Sequence, residues 1–276
     1  MWRAIACALL IIASVQPGAA QTRAVQAGTV RVGATTSVQD SGLIAHLAPR
    51  FRAATGIEVN LVPKGSAETF VLAQRGLFDL LIVNHREASD AFVAAGEGLP
   101  GRPVMSDAFV IVGPAEDPAG VRQAPDFASA LVAIARERAP FVSRGDGSGT
   151  HAVELGLWAS AGIDPKKRSG SWYRETGLGM ADALHAAARL KAYALVDRAT
   201  WLASGVAGTL PVLQDRPPLL NRYEAVPVNP ARHPGVRAAE ARLFLDWLTS
   251  PEGQEAIGSY AVGGERPFAP AARTGG

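Results

Sequence analysis

The sequence predicts an α/β fold with a mostly parallel sheet, divided into two lobes. Three observations carry this expectation. Short apolar runs alternate with segments whose apolar residues recur at helical spacing, the rhythm of strand-helix-strand units. Some of the runs are continuously apolar, as in strands covered on both faces. The turns after three of the strands gather Thr, Ser and Gly, at the carboxyl ends where such sheets bind ligands.

Residues 29–35 alternate as a strand and lead into 36–42. Leu43, Ile44, Leu47 and Phe51 then share a helical face, and Gly56 marks its stop. Residues 57–62 form the next strand. Lys64-Gly65-Ser66 is a turn and N-cap before a helix through Arg75, and 79–84 is a buried strand. A strand at 108–112, a helix at 127–138 and a short strand at 141–143 follow. The turn 144–150 opens a helix running through Trp158. A helix at 179–191, strands at 192–196 and 223–228, and an amphipathic helix at 234–248 complete the series. Residues 113–118 and the Pro- and Gly-rich stretch 205–218 read as crossings between lobes. Lobe I is then 21–112 plus about 206–276 and lobe II about 113–205, with a ligand between them.

The chain has 276 residues, 48% of them hydrophobic, enough for a large core. Lys and Arg total 27 against 25 Asp and Glu, a net charge of +2 with no long charged run. That balance excludes a surface built to neutralise nucleic-acid phosphates. Residues 1–20 read as a signal peptide. Arg3 precedes the apolar stretch 4–15, and Pro17-Gly18-Ala19-Ala20 ends it before Gln21. The apolar stretch is too short for a comfortable membrane span. The single Cys, Cys7, lies inside that stretch, which argues against a lipid anchor. Cleavage removes Cys7 and Arg3 and lowers the net charge from +2 to +1. A cysteine-free chain suits an oxidising compartment, so a soluble protein outside the cytoplasm is expected.

Three turns are rich in small donors: Thr35-Thr36-Ser37, Gly65-Ser66 and 143–150. Helix N-termini there offer N–H groups and a positive dipole end, and Ser and Thr add hydroxyls without bulk. Arg144 supplies one full positive charge and a planar fork of donors. Asp146 is expected to orient Arg144. Together these residues describe a pocket for a small oxyanion. Enzyme readings fare poorly. Asp146 and Thr150 stand where the G-x-S-x-G elbow around Ser148 would need glycine. His151 is expected as a surface or capping residue. The histidines at 46, 85, 151, 185 and 233 show no metal-ligand spacing, and no phosphate loop of the G-x-x-x-x-G-K-[ST] kind is present. No metal or cofactor is expected. Trp158, Trp172 and Trp201 are expected in the core or at the cleft rim.

The run Ala34-Thr35-Thr36-Ser37-Val38-Gln39-Asp40-Ser41-Gly42-Leu43 resembles the opening of the tungstate-binding proteins of ABC transporters. Further matches are Gly65-Ser66-Ala67, the stretches 105–114 and 117–120, and Ser143-Arg144-Gly145-Asp146-Gly147-Ser148-Gly149-Thr150-His151 with Glu154. Leu157-Trp158, Trp172-Tyr173, Gly179-Met180 and 192–200 complete a resemblance covering about residues 29–205. It implies a two-lobed type II periplasmic binding protein that closes on tungstate and delivers it to a membrane permease driven by a cytoplasmic ATPase. Carried over by position, the donors are Thr35, Thr36, Ser37, Ser66, Arg144, Ser148, Gly149 and Thr150, with Asp146 behind them. The protein is expected to act as a monomer. The chain departs from the family at four places. Ala34 replaces a Thr, Ser66 replaces a usual Thr, Leu178 replaces a common Gln, and Asp107 stands where Asn is common.

A phosphate-binding protein is the nearest alternative, because it shares the Arg-x-Asp-Gly-Ser-Gly-Thr turn. Phosphate at neutral pH keeps a proton and requires an acceptor. Tungstate and molybdate are dianions that require donors only. An Asp146 oxygen aimed at the ligand would favour phosphate, and an Asp146 consumed by Arg144 would favour tungstate. An exported hydrolase using Ser148 or His151, and an anion sensor signalling to a membrane partner, also remain open.

Overall fold

The structure, a computed structural model, describes residues 28–270. The leader expected at 1–20, with Arg3 and Cys7, lies outside the described residues. The first half of the chain runs β1 (Thr29–Thr35), α1 (Thr36–Asp40), α2 (Leu43–Thr55), β2 (Glu58–Lys64), α3 (Ser66–Ala73), β3 (Leu80–Val83), α4 (Arg86–Ala94) and β4 (Arg102–Val112). Then come α5 (Phe127–Glu137), β5 (Phe141–Ser143), α6 (Gly149–Ser160), β6 (Tyr173–Glu175), α7 (Met180–Leu190), β7 (Ala194–Asp197) and α8 (Arg198–Ala203). Last are β8 (Val212–Pro227), α9 (Ala238–Leu248), α10 (Pro251–Ser259) and β9 (Ala269–Pro270). In α2 the expected face of Leu43, Ile44, Leu47 and Phe51 is buried, and Gly56 ends the helix at φ 76°, where a side chain would be strained.

The main sheet has seven strands in the order β2-β1-β3-β8-β4-β7, with β9 against β4. β1 is parallel to β2 and β3. β8 is antiparallel to both β3 and β4, and β4 is antiparallel to β7 and β9. The sheet is therefore mixed, which corrects the mostly parallel expectation. The cause is β8, which returns along two neighbours. The sequence signals only parts of the two long strands, 108–112 and 223–228. Pro103, Ser106 and Asp107 break the apolar pattern of β4. Residues 215–218, Asp-Arg-Pro-Pro, fall in a gap of the β4–β8 ladder between Gln214 and Leu219. A proline lacking an N–H is tolerated at such an irregularity.

Two sets of apolar clusters form along these strands. Met105 of β4 and Tyr223 of β8 pack with Val30, Phe51, Phe244 and Trp247. Val226 joins Phe70, Phe78 and Phe92. Farther along, Phe109 and Ile111 pack with Phe141, Trp158, Tyr173 and Tyr193. Val110 and Val112 face Met180, Leu184 and Trp201. Between the two sets lies a buried polar layer. Asp107 and Asn221 are register partners, 3% and 2% exposed. Asp197, fully buried at the end of β7, adjoins them, and Asn84 donates to Asn221 at 2.9 Å. Burial and the charge of Asp197 hold the Asp107 carboxyl well above the usual range, and burial also raises Asp197. Two carboxylates so enclosed share a proton.

Two other buried acids are handled differently. Asp79 accepts from the Arg31 N–H at 2.7 Å, from the Arg31 guanidinium and from the Arg237 N–H at 2.9 Å, joining β1, β3 and the start of α9. Burial pushes its carboxyl up, but Arg31 and these N–H groups outweigh it and hold the pKa low. Glu154 on α6 accepts from Trp158 Nε1 at 3.2 Å and Tyr173 Oη at 2.8 Å inside the aromatic cluster. There burial pushes it up to about 7, against hydrogen bonds from Tyr173, Ser143 and Trp158.

Replacing Asp79 with Ala strands two backbone donors and one cation, so Asp79→Ala is expected to cost about 2–4 kcal/mol. A thermal melt should show the midpoint lower by roughly 5–15 °C. Glu154 has the opposite pH signature. Its raised pKa means that the folded state holds a proton the unfolded chain has released, so stability falls as pH rises from about 4.5 to about 7. That term is about 3 kcal/mol. Glu154→Gln should flatten the decline in melting temperature between pH 5 and pH 8 by on the order of 5–10 °C. Parallel pH profiles for the two proteins would show that Glu154 does not carry the proton.

Candidate functional site

Three turns carry the nominated residues: those after β1 and β2 of the main sheet, and the one after β5, which pairs with β6 in a separate two-stranded sheet. β1 ends at Thr35, which is 1% exposed and N-caps α1 without using its side chain. Ser37 is equally buried, and neither the Thr35 nor the Ser37 hydroxyl has a protein partner. Ala34, the departure from the expected Thr, points into the apolar core. The next turn corrects a detail of the sequence reading. Gly65, not Ser66, is the N-cap of α3, and Ser66 is its first helical residue. The Ser66 hydroxyl therefore caps nothing; it is buried and unpartnered.

The third turn follows β5. Arg144 is 3% exposed, and its Nη2 donates to Asp146 Oδ2 at 2.5 Å and to Thr36 Oγ1 at 3.2 Å. Its Nε is buried with no partner. Asp146 uses its other oxygen to accept from the Ser148 N–H at 3.1 Å, so both carboxylate oxygens are engaged within this turn. Ser148 N-caps α6, accepting from the His151 N–H at 3.3 Å, which leaves the Ser148 hydroxyl proton for an outside acceptor. The Thr150 hydroxyl is buried and unpartnered.

The first N–H groups of α6 lie outside its own hydrogen-bond ladder. Gly149 stands so close to β3 that a Cβ would lie 2.6 Å from the Asn84 carbonyl oxygen, so glycine is required there. The turn is braced from behind: Gly177 N–H donates to Arg144 O at 2.6 Å and Thr176 Oγ1 to Ser143 O at 3.0 Å. The Thr36 oxygen also accepts from the Met180 N–H at 3.4 Å, which leaves its hydroxyl proton, like that of Ser148, for an outside acceptor.

Among the described residues, eleven buried side-chain polar atoms lack a partner in the protein. Five belong to residues the sequence nominates: Thr35, Ser37, Ser66, Arg144 and Thr150. All five atoms can donate a hydrogen bond. Sequence reasoning missed two neighbours. Asn84 ends the predicted strand 79–84, and only its contact with Gly149 reveals its place. His151 is 6% exposed rather than a surface residue, and its Nδ1 accepts from the Gly147 N–H at 3.1 Å. Burial lowers its pKa, keeping the ring neutral. Nothing in its local sequence distinguishes a buried histidine from an exposed one.

A family profile described as a PBP superfamily domain matches residues 19–252. The tungstate-binding protein TupA of Peptoclostridium acidaminophilum is 38% identical over 236 residues, 84% of this chain and 82% of that protein. Among solved structures, the tungstate ABC transporter from Geobacter sulfurreducens superposes with a TM-score of 0.79 at 41% identity, over 84% of this chain and 98% of the other. The tungstate-binding protein TupA from Desulfovibrio alaskensis superposes with a TM-score of 0.75 at 38% identity, over 90% and 100%. The mixed α/β sheet with its covering helices and these matches agree on the type II periplasmic binding protein architecture. The chain belongs to the PBP superfamily, in the family of these TupA relatives.

Proposed function

We propose that this chain is an extracytoplasmic solute-binding protein that captures tungstate, and molybdate with it, and delivers the anion to an ABC transporter. It works as a monomer between the outside of the cell and a permease driven by a cytoplasmic ATPase, and needs no metal or cofactor. The leader at 1–20 carries it across the membrane. No helix among the described residues is long and apolar enough to cross a membrane. The lobes we infer are 21–112 with about 206–276, and about 113–205, joined through β4 and β8. Phe109, Val112, Val206 and Leu219 nevertheless pack with the second set of clusters, which favours a crossing nearer Asp107 and Asn221. The boundaries read near 113 and 206 lie just beyond one end of each strand.

The observation that carries this reading is the set of five buried, unpartnered donors on Thr35, Ser37, Ser66, Arg144 and Thr150. Each such group costs about 1–3 kcal/mol if left unpaired. Five of them would cost about as much as a whole domain's stability. An oxyanion with four oxygens satisfies them together, assisted by the dipole of α6 and the Arg144 charge. The donor set requires no catalytic base, which supports capture rather than turnover. The engagement of Asp146 supports a fully deprotonated dianion over phosphate, which has to place its proton on an acceptor.

Thermal unfolding with tungstate, molybdate, phosphate and sulfate tests this directly. Tungstate at a thousand times its dissociation constant should add about 4 kcal/mol, a shift on the order of 10 °C. Molybdate should act similarly and phosphate little. A shift with phosphate alone would move the assignment to phosphate uptake. Arg144→Ala leaves Asp146 uncompensated and removes the only full charge from the donor set. It should weaken tungstate binding by about a hundredfold in calorimetry. Thr150→Val keeps the shape and deletes one hydroxyl, and should weaken binding roughly tenfold. Unchanged affinity in both variants would place the anion elsewhere.

A further inference from the structure

Helix α7 begins without a cap of its own. Its N-cap residue is Gly179, which has no side chain to accept from the first N–H groups. The acceptors come from α1, across the cleft. Thr36 Oγ1 accepts from Met180 N–H at 3.4 Å, and Asp40 Oδ2 accepts from Ala181 N–H at 3.2 Å. A Cβ at Gly179 would lie 3.4 Å from Thr36, in ordinary contact, so the two elements abut here. Thr36 and Asp40 are four residues apart on one helical turn and so share a face. The same short helix begins at the Thr35 and Ser37 hydroxyls. On the other side, Gly177 and Thr176, just before α7, hold the backbone of Arg144 and Ser143. One bridge thus runs from the β1–α1 donors through Asp40 and α7 to the Arg144 turn.

We propose that Asp40 is the latch of this cleft: a positioning residue that caps α7 across the gap when the lobes are closed, and thereby sets how long a captured oxyanion stays. The proposal rests on the oxyanion reading above. Asp40 is half-buried and is not among the ligand donors; its carboxylate makes the lobe contact and its charge is also felt at Arg144, so Asp40→Asn separates the contact from the charge. Helix N-termini favour a carboxylate over a neutral acceptor, and this one pairs with an N–H of an eleven-residue helix. A contact made only on closure acts on release rather than on encounter, as most affinity differences between related complexes do.

The test compares wild type, Asp40→Ala and Asp40→Asn. It measures release of radiolabelled tungstate after a chase, affinity by equilibrium dialysis, melting of the ligand-free protein, and amide exchange at Ala181. Asp40→Ala should release tungstate roughly fivefold faster, the usual scale of a lost cap, with association unchanged. Asp40→Asn keeps an acceptor and should stay within about twofold of wild type. The ligand-free melting temperatures should agree within about 2 °C, because an open cleft does not use the latch. Equal release from wild type and Asp40→Ala overturns the proposal. So does a ligand-free melting loss in Asp40→Ala as large as the loss with tungstate, which would make Asp40 a static cap. If wild type retains no tungstate, the oxyanion reading fails by itself. The latch is then decided by exchange at Ala181 in the presence of whichever anion raises the melting temperature: faster in Asp40→Ala supports it, and equal rates overturn it.

Discussion

Arg144 is a guanidinium almost wholly removed from water, and the surrounding structure is arranged to make that tolerable. An isolated buried charge costs several kcal/mol even after relaxation, so it must be matched. Asp146, two residues on, matches it, and the Ser148 N–H holds the second carboxylate oxygen. The backbone of Arg144 is fixed by Gly177, and its Nη2 reaches the β1–α1 turn at Thr36. The pairing neutralises the charge without consuming every donor, and the unpartnered Nε remains for a ligand. A neutral Arg-Asp unit flanked by hydroxyls is a better receptor for a dianion than a cluster of cations. Such a cluster would repel itself when no anion is bound.

The same logic explains the polar layer inside the sheet. β4 and β8 run from one set of apolar clusters to the other, and where the clusters change, the strands carry Asp107 and Asn221 in place of apolar residues. An apolar residue there would fuse the two cores into one. A hydrogen-bonded layer keeps the strands paired while leaving the cores separate. Asp107 and Asp197 can sit together only by sharing a proton. The shared proton avoids a second uncompensated charge near Arg144.

Discrimination among anions follows from which groups are already engaged. Tungstate, molybdate and sulfate are dianions near neutral pH, whereas phosphate has to place its proton on an acceptor. The carboxylate among the proposed ligand residues has both oxygens taken inside its own turn.

The sequence by itself determined the local features: the α/β rhythm, the face of α2, the stop at Gly56, and the three donor-rich turns. Each depends on residues near one another along the chain, where periodicity and turn chemistry act directly. The donor turns were legible for a further reason, because Ser, Thr and Gly clustered at strand ends have few local uses beyond capping. Only the tertiary structure decided what depends on distant segments. The run of β4 before 108 and of β8 before 223 stays hidden, since their polar and proline residues are explained only by cross-strand partners. The burial of His151, the approach of Asn84 to Gly149 and the capping of α7 by Asp40 each join residues tens of positions apart or more, or depend on what covers them. Ser66 illustrates the boundary. Its chemistry was legible, but whether its hydroxyl capped a helix or faced outward was a matter of one residue of phase, and the backbone conformation of Gly65 decided it.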